Sequence, residues 1–218
     1  MYKGKKILAI IPARKGSKRI KNKNLFPFKK KPLIYFTFTS ALKSKIIDEI
    51  IISSNDTKII EYSKRFNVKI PFIRPNNIST SKSKASDVII HTINWLKNNT
   101  SQAYDYIIYL QPTSPNRRTV DIDRALKIVI NQNIKTLVSA SKSSYPINWM
   151  FSKNKNKKFY SFKKSKISNK LSQEYADYYY LNGSIFIAKI DYFIKYKTFY
   201  TNKTYIYETP FINSIDID

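Results

Sequence analysis

The sequence contains no cysteine, only three glycines and a single histidine. Without cysteine there is no disulfide framework, no thiolate metal site and no cysteine nucleophile. The glycines stand at positions 4, 16 and 183, so neither the G-x-G-x-x-G pattern of dinucleotide-binding folds nor the G-x-x-x-x-G-K-[ST] pattern of a P-loop occurs. These absences exclude thiol chemistry and disfavour two large classes of nucleotide-binding protein.

Long hydrophobic runs are also missing. The longest, at residues 6–11 and 49–53, fall far short of the roughly eighteen apolar residues that span a bilayer. No charged start leads into an apolar core and a cleavage site, so the sequence carries no export signal. We therefore expect a soluble, cytoplasmic protein without a membrane partner. Its 218 residues, 42% of them hydrophobic, suit one core, and we predict a single domain over residues 1–218.

Acidic residues are scarce, with 14 against 40 basic residues, which gives a net charge of +26. Such an excess is typical of proteins that neutralise the phosphates of nucleic acid. Only 7 of the 40 basic residues are arginine, however, and arginine is the residue that reads phosphate and guanine in a bidentate way. We interpret most lysines as a solvated surface and predict no nucleic-acid partner.

The apolar segments alternate between strand and helix character. Strands are predicted at 6–11, 49–54, 68–73, 104–110 and 136–141, and helices at 32–43, from 55 or 56 to 66, at 85–98 and at about 120–131. This alternation predicts an α/β fold with a three-layer, doubly wound, mostly parallel sheet. The pair Asn182-Gly183 is typical of a turn, which would precede another strand at 184–188.

The stretch IIPARKGSKRIKNKNL, residues 10–25, places six cations around one glycine directly after the first predicted strand. In doubly wound sheets, ligands bind at the carboxyl ends of strands near a switch in strand order. Backbone and side-chain donors in such a loop would surround an anion. The loop therefore predicts a polyphosphate site.

Five motifs follow one another along the chain: PARKGSKRIKNKN at 12–24, IRP at 73–75, LQPTSPNR at 110–117, NGSIF at 182–186 and SIDID at 214–218. In these motifs and their order, the sequence resembles the acylneuraminate (sialic acid type) cytidylyltransferases over essentially its whole length. The resemblance implies a fold of the nucleotide-diphospho-sugar transferase type with a small dimerisation arm, which we place at about residues 145–182. It also implies a homodimer.

The reaction implied by the resemblance is attack of the anomeric hydroxyl of a nine-carbon acidic sugar on the α-phosphorus of CTP, giving a CMP-sugar and pyrophosphate. The acid would be an N-acylneuraminate, a legionaminate or a pseudaminate. The same resemblance implies the following site residues: catalytic Arg14, Lys18, Lys23 and Asp218; nucleotide-binding Ala13, Arg14, Ser17, Lys18, Asn24, Arg74 and Ser83; substrate-binding Gln111, Thr113, Ser114, Tyr180 and Asn182; and Asp216 and Asp218 for Mg²⁺. Carboxylates are the hard oxygen ligands that suit this cation.

Several alternatives stay open at this stage. Asp121-Ile122-Asp123 has the same spelling as the terminal motif, and we interpret it as acids in the first turn of a helix capped by Thr119. Ser172 precedes Gln173 where many members of the family carry Arg-Gln, so the acceptor is less certain than CTP. The competing functions are a 3-deoxy-manno-octulosonate cytidylyltransferase, a non-catalytic basic module that binds nucleic acid or anions, and a relative that binds CTP without turnover.

Overall fold

The computed structural model describes residues 1–17, 19–153, 159–161, 171–213 and 215–217, with the backbone alone described at 151–153, 159–161 and 172. The strands are β1 (Ile7–Pro12), β2 (Pro27–Phe28), β3 (Lys31–Pro32), β4 (Glu49–Ser53), β5 (Tyr106–Tyr109), β6 (Thr136–Lys142), β7 (Phe151–Lys153), β8 (Phe159–Ser161), β9 (Tyr179–Lys189) and β10 (Thr204–Glu208). The helices are α1 (Leu33–Leu42), α2 (Thr57–Ser63), α3 (Ala85–Asn99), α4 (Thr119–Asn131) and α5 (Ile190–Tyr196).

Six of these strands form one sheet in the order β10-β6-β9-β5-β1-β4. Neighbouring strands run parallel except at β9, which is antiparallel to both β5 and β6. The predicted mostly parallel sheet is therefore confirmed.

Strand β1 shows why the sheet has helices on both faces. Its odd-numbered residues, such as Ile7 and Ile11, pack in a core with side chains of α1, α2 and α4. Its even-numbered residues Leu8 and Ile10 pack in a second core with side chains of α3 and α5. Because both faces of the sheet are covered, β1 does not alternate between apolar and polar residues and is a continuous apolar run. The three-layer, doubly wound architecture is confirmed.

The prediction of a strand at 68–73 was wrong. This segment meets the edge strand β4 only through isolated bridges, from Lys69 to Ile51 and from Ile73 to Ser54. Pro71 lies between the two bridges and has no backbone N–H to give to a ladder, which accounts for the interruption.

The prediction of a turn at Asn182-Gly183 was also wrong. Both residues lie inside β9, which runs through eleven residues without turning. The pairing between β6 and β9 instead shifts register between Val138 and Ala140, and Gly183 has a φ of 72°. Across this shift β9 has three residues more than β6, because Val138 pairs with Phe186 and Ala140 pairs with Leu181. Such an irregularity is a β-bulge, and glycine supplies the positive φ without strain.

Between β6 and β9, the described residues of the range 143–178 lie outside the main sheet and include the antiparallel pair β7–β8. The predicted arm at 145–182 extends too far, because Tyr179 to Asn182 belong to β9. Its role in dimerisation stays a prediction. None of the helices in the described part of the chain combines the length and the apolar character that crossing a bilayer requires.

Candidate active site

The loop that follows β1 is fixed against the end of β4. The backbone N–H of Ala13 donates to the carbonyl of Ser53 at 2.9 Å, and the Ser54 hydroxyl donates to the carbonyl of Ala13 at 2.6 Å. Two residues further on, the N–H of Lys15 donates to Oδ1 of Asn55 at 2.9 Å. These contacts hold the start of the basic loop at the carboxyl edge of the sheet.

The loop then curls back on itself. The Arg14 guanidinium donates to the carbonyl of Gly16 at 2.7 Å, and Nδ2 of Asn24 donates to the carbonyl of Arg14 at 3.2 Å. Gly16 has a φ of 75°, a conformation that favours glycine over residues with a Cβ. The positive φ that the loop needs at this position therefore explains why its motif contains a glycine.

A cavity of about 430 Å³ opens beside this loop, and we call it the β1 cavity. It lies at the carboxyl end of β1. In the sheet, β4 is the neighbour of β1 on one side and β5 is its neighbour on the other, so the strand order reverses at β1 and this is the switch point of the sheet. Its lining is Pro12, Arg14, Ser17, Arg19, Lys23, Asn24, Arg74, Thr80, Ser81, Ser83, Lys84, Ala85, Val88, Tyr109, Gln111, Pro112 and Thr113. The lining contains five cationic residues and, among the described residues, no acidic one.

Arg74 forms part of the buried side of this cavity. Its guanidinium donates to Oγ of Ser53 at 3.0 Å and also to the Ser53 carbonyl. The pKa of Arg74 is lowered to about 10, mainly by burial; the nearby Tyr109 opposes the shift, and the positive charge of Arg14 contributes to it. A buried cation with only neutral hydrogen-bond partners is costly, so an anionic ligand in this cavity would relieve that cost.

The residues that line the β1 cavity opposite the basic loop were only partly predicted. Ser83 was expected there, but Thr80, Ser81 and Lys84 also line the cavity just before α3, as do Arg19 and Tyr109 elsewhere. The run TSKSK at 80–84, which directly precedes a predicted helix, was the available signal. Hydroxyl donors beside the cation of Lys84 favour an anion at this side of the cavity.

A second cavity, of about 410 Å³, lies beside the first, and we call it the β9 cavity. Its lining is Tyr180, Leu181, Asn182, Gly183, Phe186, Tyr200, Phe211, Ile215 and Asp216. Six of these side chains are apolar or aromatic, and Asp216 is the single charged one among the described residues. A methyl group placed on Gly183 would lie 3.6 Å from Oε1 of Gln111, so Gln111 stands between the two cavities.

Asp216 reaches this position because its segment is tied to the end of β5. The N–H of Ile217 donates to the carbonyl of Thr113 at 2.8 Å, and Nδ2 of Asn116 donates to the carbonyl of Ile212 at 3.0 Å. The terminal motif thus lies beside the Gln-Pro-Thr-Ser-Pro connection. No group of three or more metal-ligating side chains occurs among the described residues, and the prediction of a Mg²⁺ site stays a prediction.

The other Asp-Ile-Asp motif has the structural role expected for it. Asp121, in the first turn of α4, accepts from Arg118 at 2.8 and 2.9 Å, and Asp123 accepts from the Ser44 hydroxyl. The helix cap differs from the prediction, because Arg118 occupies the N-cap position and the Thr119 hydroxyl donates to the carbonyl of Ser40.

The structure brings most predicted site residues together. Eight line the β1 cavity: Arg14, Ser17, Lys23, Asn24, Arg74, Ser83, Gln111 and Thr113. Tyr180, Asn182 and Asp216 line the β9 cavity. Ala13 and Ser114 are buried and line neither cavity, and the Ser114 hydroxyl has no hydrogen-bond partner among the described residues. Lys18 and Asp218 lie outside the described residues.

Asn182 was predicted to bind substrate, but its side chain is already used within the protein. Oδ1 accepts from Ser139 Oγ at 2.6 Å and from the N–H of Ser184 at 3.2 Å. Nδ2 donates to Ser141 Oγ at 2.9 Å and to Thr209 Oγ1 at 2.7 Å. An amide offers two donors and one two-fold acceptor, so this side chain has no capacity left for a ligand and braces β6, β9 and the end of β10.

The α/β fold, with a cationic cavity at the switch point of its sheet, is the arrangement expected of a protein that binds a phosphorylated ligand. A sequence profile of the cytidylyltransferase family matches residues 8–211, and the chain belongs to this family. The predicted family and the assignment as a nucleotidyltransferase are confirmed.

Three relatives illustrate the range of similarity. The chain is 34% identical over 183 residues to a pseudaminic acid cytidylyltransferase of Campylobacter jejuni, covering 84% of this chain and 78% of that protein. It is 33% identical to a CMP-N,N'-diacetyllegionaminic acid synthase of Legionella pneumophila, covering 98% and 91%. It is 28% identical to an N-acylneuraminate cytidylyltransferase of Escherichia coli, covering 98% of this chain and 49% of that protein.

Solved structures confirm the fold. A CMP:2-keto-3-deoxy-manno-octonic acid synthetase complexed with CTP superimposes with a TM-score of 0.68 at 18% identity, covering 94% of this chain and 90% of that one. A 4-diphosphocytidyl-2C-methyl-D-erythritol synthase from Anaerococcus prevotii gives a TM-score of 0.62 at 15% identity, covering 98% and 91%.

Proposed function

We propose that this protein transfers CMP from CTP to the anomeric hydroxyl of a nine-carbon acidic sugar and releases pyrophosphate. The observation that carries the proposal is the pairing of two cavities. The β1 cavity is cationic and lies at the switch point of the sheet, while the β9 cavity is mainly apolar and adjoins it at Gln111 and Gly183. A reaction between a nucleotide and a second substrate needs two adjoining sites of this kind.

The β1 cavity would hold CTP. Arg14, Arg19 and Lys23 surround the space beside the curled loop, where they would neutralise the triphosphate. On the buried side, Arg74 and the hydroxyl of Ser83 offer donors to the cytidine, and Val88 offers an apolar contact. Because no covalent enzyme intermediate is needed, the contribution of these residues is to position the α-phosphorus and to stabilise the charge that develops on it.

Asp216 and Asp218 are proposed ligands of Mg²⁺. The support is chemical: Asp216 offers a hard, exposed carboxylate oxygen, and its segment is fixed beside Thr113 at the edge of the β1 cavity. When bound, the cation would neutralise charge on the phosphates. The chain itself would supply the carboxylates that hold it and the backbone tie that places them.

The lining of the β9 cavity supports a particular kind of acceptor. Leu181, Phe186, Phe211 and Ile215 present apolar surface, which suits the methyl groups of acylamino and deoxy positions better than a hydroxyl-rich chain. We therefore propose an acylated, partly deoxygenated acid of the pseudaminate or legionaminate kind. The relatives named for these two acids are 34% and 33% identical, compared with 28% for the relative named for N-acylneuraminate.

We also propose a homodimer formed through residues 143–178. Tyr145 and Met150 in this segment are exposed, and a cavity of about 600 Å³ opens at its base beside Lys142 and Tyr178. Sedimentation velocity would show a dimer under this proposal and a monomer at all concentrations if it is wrong. The cytoplasmic location and the absence of a nucleic-acid partner stay predictions.

The test of the proposed reaction is pyrophosphate release from CTP in the presence of Mg²⁺, measured with pseudaminic, legionaminic and N-acetylneuraminic acids and with 3-deoxy-manno-octulosonate. We expect turnover with at least one nine-carbon acid and none with 3-deoxy-manno-octulosonate. UTP in place of CTP is the matched nucleotide control. Turnover with 3-deoxy-manno-octulosonate alone would contradict the proposed acceptor, and silence with every acid would contradict the proposed function.

A further inference from the structure

Arg117 is a buried cation in the partition between the two cavities. Only 4% of its surface is exposed, and it lines neither cavity. It follows the connection from β5 and lies two residues before α4. A charged side chain in such a place needs an explanation, because arginine is rarely buried without a specific partner.

The guanidinium joins three different elements. Nε donates to the carbonyl of Ser184 in β9 at 2.6 Å. One terminal nitrogen donates to the carbonyl of Gln111 at 2.5 Å, and the other donates to the hydroxyl of Thr37 in α1 at 3.2 Å. The planar fork of arginine can satisfy these three directions at once, which the single ammonium of lysine does less well.

Two of these acceptors belong to the residues that separate the cavities. Gln111 lines the β1 cavity and its side-chain oxygen lies against Gly183, which lines the β9 cavity. Ser184 directly follows Gly183. Arg117 therefore links the Gln111 side and the Gly183 side of the partition, because one guanidinium donates to the backbone carbonyls of Gln111 and Ser184.

The charge of Arg117 is not explained by an ordinary ion pair. Among the described residues, no carboxylate accepts a hydrogen bond from it, and burial lowers its pKa to about 9. The negative charge of Asp216 partly opposes this lowering of the Arg117 pKa. A buried cation is costly compared with an apolar brace. What the guanidinium supplies in return is three hydrogen bonds, two of them to the carbonyls of Gln111 and Ser184 at the partition.

We propose that Arg117 is a positioning residue for the acceptor: through its hydrogen bonds to the carbonyls of Gln111 and Ser184 it holds Gln111 against Gly183 at the junction of the two cavities. This inference rests on the proposed function. It predicts a selective defect, because Gln111 and Ser184 flank the junction with the β9 cavity, while the basic loop that would hold the triphosphate of CTP is anchored separately, on the end of β4.

The test compares Arg117→Met and Arg117→Lys with Arg65→Met, which removes an exposed arginine that lies over the Tyr62 ring. We expect Arg117→Met to lower kcat/KM for the sugar acid by about 10- to 100-fold while the Kd for CTP, measured by calorimetry, changes less than about twofold. Arg117→Lys should recover part of the loss, and Arg65→Met should match the unsubstituted enzyme. Equal losses of CTP binding and turnover in Arg117→Met would show a merely structural role, and unchanged turnover would show none.

A milder variant covers the case in which Arg117→Met does not fold. Thr37→Val removes one acceptor of Arg117 and one donor to the Gln111 carbonyl. We expect a loss of about 3- to 10-fold in kcat/KM for the acid with CTP binding retained; a loss of CTP binding, or no loss at all, would contradict the inference. Inactivity of the unsubstituted enzyme with every acid would overturn the proposed function, whereas normal activity in both the unsubstituted enzyme and Arg117→Met would overturn the role of Arg117 alone.

Discussion

The two cavities of this enzyme are nearly equal in volume, at about 430 and 410 Å³, but opposite in chemistry. Five cations line the β1 cavity and, among the described residues, none lines the β9 cavity. The basic loop of the first cavity is fixed to the end of β4, whereas the second cavity is lined by side chains of β9 and of residues 200–216. Under the proposed function, nucleotide recognition would be built into the fold, whereas acceptor choice would depend on a few apolar side chains.

The largest expected effect concerns the carboxylates at the junction. Replacing Asp216 and Asp218 together by Asn should lower turnover by at least about 100-fold, because amides carry no charge to hold a divalent cation. Pyrophosphate release would measure the loss, and CTP binding without Mg²⁺ should persist. Asp123→Asn is the matched control and should keep full activity, because Asp123 belongs to the other Asp-Ile-Asp motif, which lies in α4. Full activity in the double variant would remove these residues from a metal role.

The next effect should be confined to the β1 cavity. Arg14→Ala removes a cation and the hydrogen bond that closes the loop on Gly16, so CTP affinity should fall about 30-fold, which corresponds to about 2 kcal/mol. Lys21→Ala changes an exposed cation of the same loop that does not line the cavity, and it should change the affinity less than about twofold. Equal effects of the two substitutions would mean that net charge, and not the built site, attracts CTP.

A smaller effect should be confined to the β9 cavity. Leu181→Ala removes apolar surface from its lining and should raise the KM for the sugar acid about fivefold, since a lost methyl or methylene contact costs about 1 kcal/mol. The KM for CTP should not change. Leu171→Ala, at an exposed leucine outside both cavities, is the control. An increase in the KM for CTP alone would assign this cavity to the nucleotide and reverse the comparison.

The smallest effect on activity comes from variants that separate backbone strain in a loop from ligand binding. Gly16 and Gly4 have φ values of 75° and 71°, and a Cβ at either would meet nothing within 4 Å. Replacing either glycine by Ala should therefore lower the free energy of unfolding by about 1 to 2 kcal/mol through backbone strain alone. Only Gly16→Ala should also weaken CTP binding. Denaturant titration and calorimetry on both variants would check this, and equal CTP binding in the two would detach Gly16 from the site.

Much of the fold and of the β1 cavity could be predicted, because continuous local signals encode them. The apolar run of β1 reveals a strand buried on both faces, and the basic loop that follows contains its own glycine for the turn. The strand at 68–73 was mispredicted because Pro71 interrupts the backbone hydrogen bonding that the apolar pattern indicated. The turn at Asn182-Gly183 was mispredicted because the Asn amide is satisfied by residues 40 or more positions away as well as by Thr209, a contact that no local pattern shows.

The apolar lining of the β9 cavity and the burial of Arg117 were the parts that the sequence could not reveal. Leu181, Phe211 and Ile215 look like ordinary apolar residues until the tie between Ile217 and Thr113 brings the end of the chain beside β9. Arg117 stands in a polar connection and gives no sign of being buried. Its role depends on Thr37 and Ser184, which lie 80 and 67 positions away in sequence.

The central claim is that the chain transfers the α-phosphoryl group of CTP to a sugar hydroxyl. ³¹P NMR of a mixture of enzyme, CTP, Mg²⁺ and a nine-carbon acylated acid tests it directly, because each phosphorus gives its own signal. We predict that the three CTP signals are replaced by one phosphodiester signal and by pyrophosphate in equal amounts. Appearance of CDP with inorganic phosphate, or unchanged CTP signals in the presence of every acid, would contradict the account.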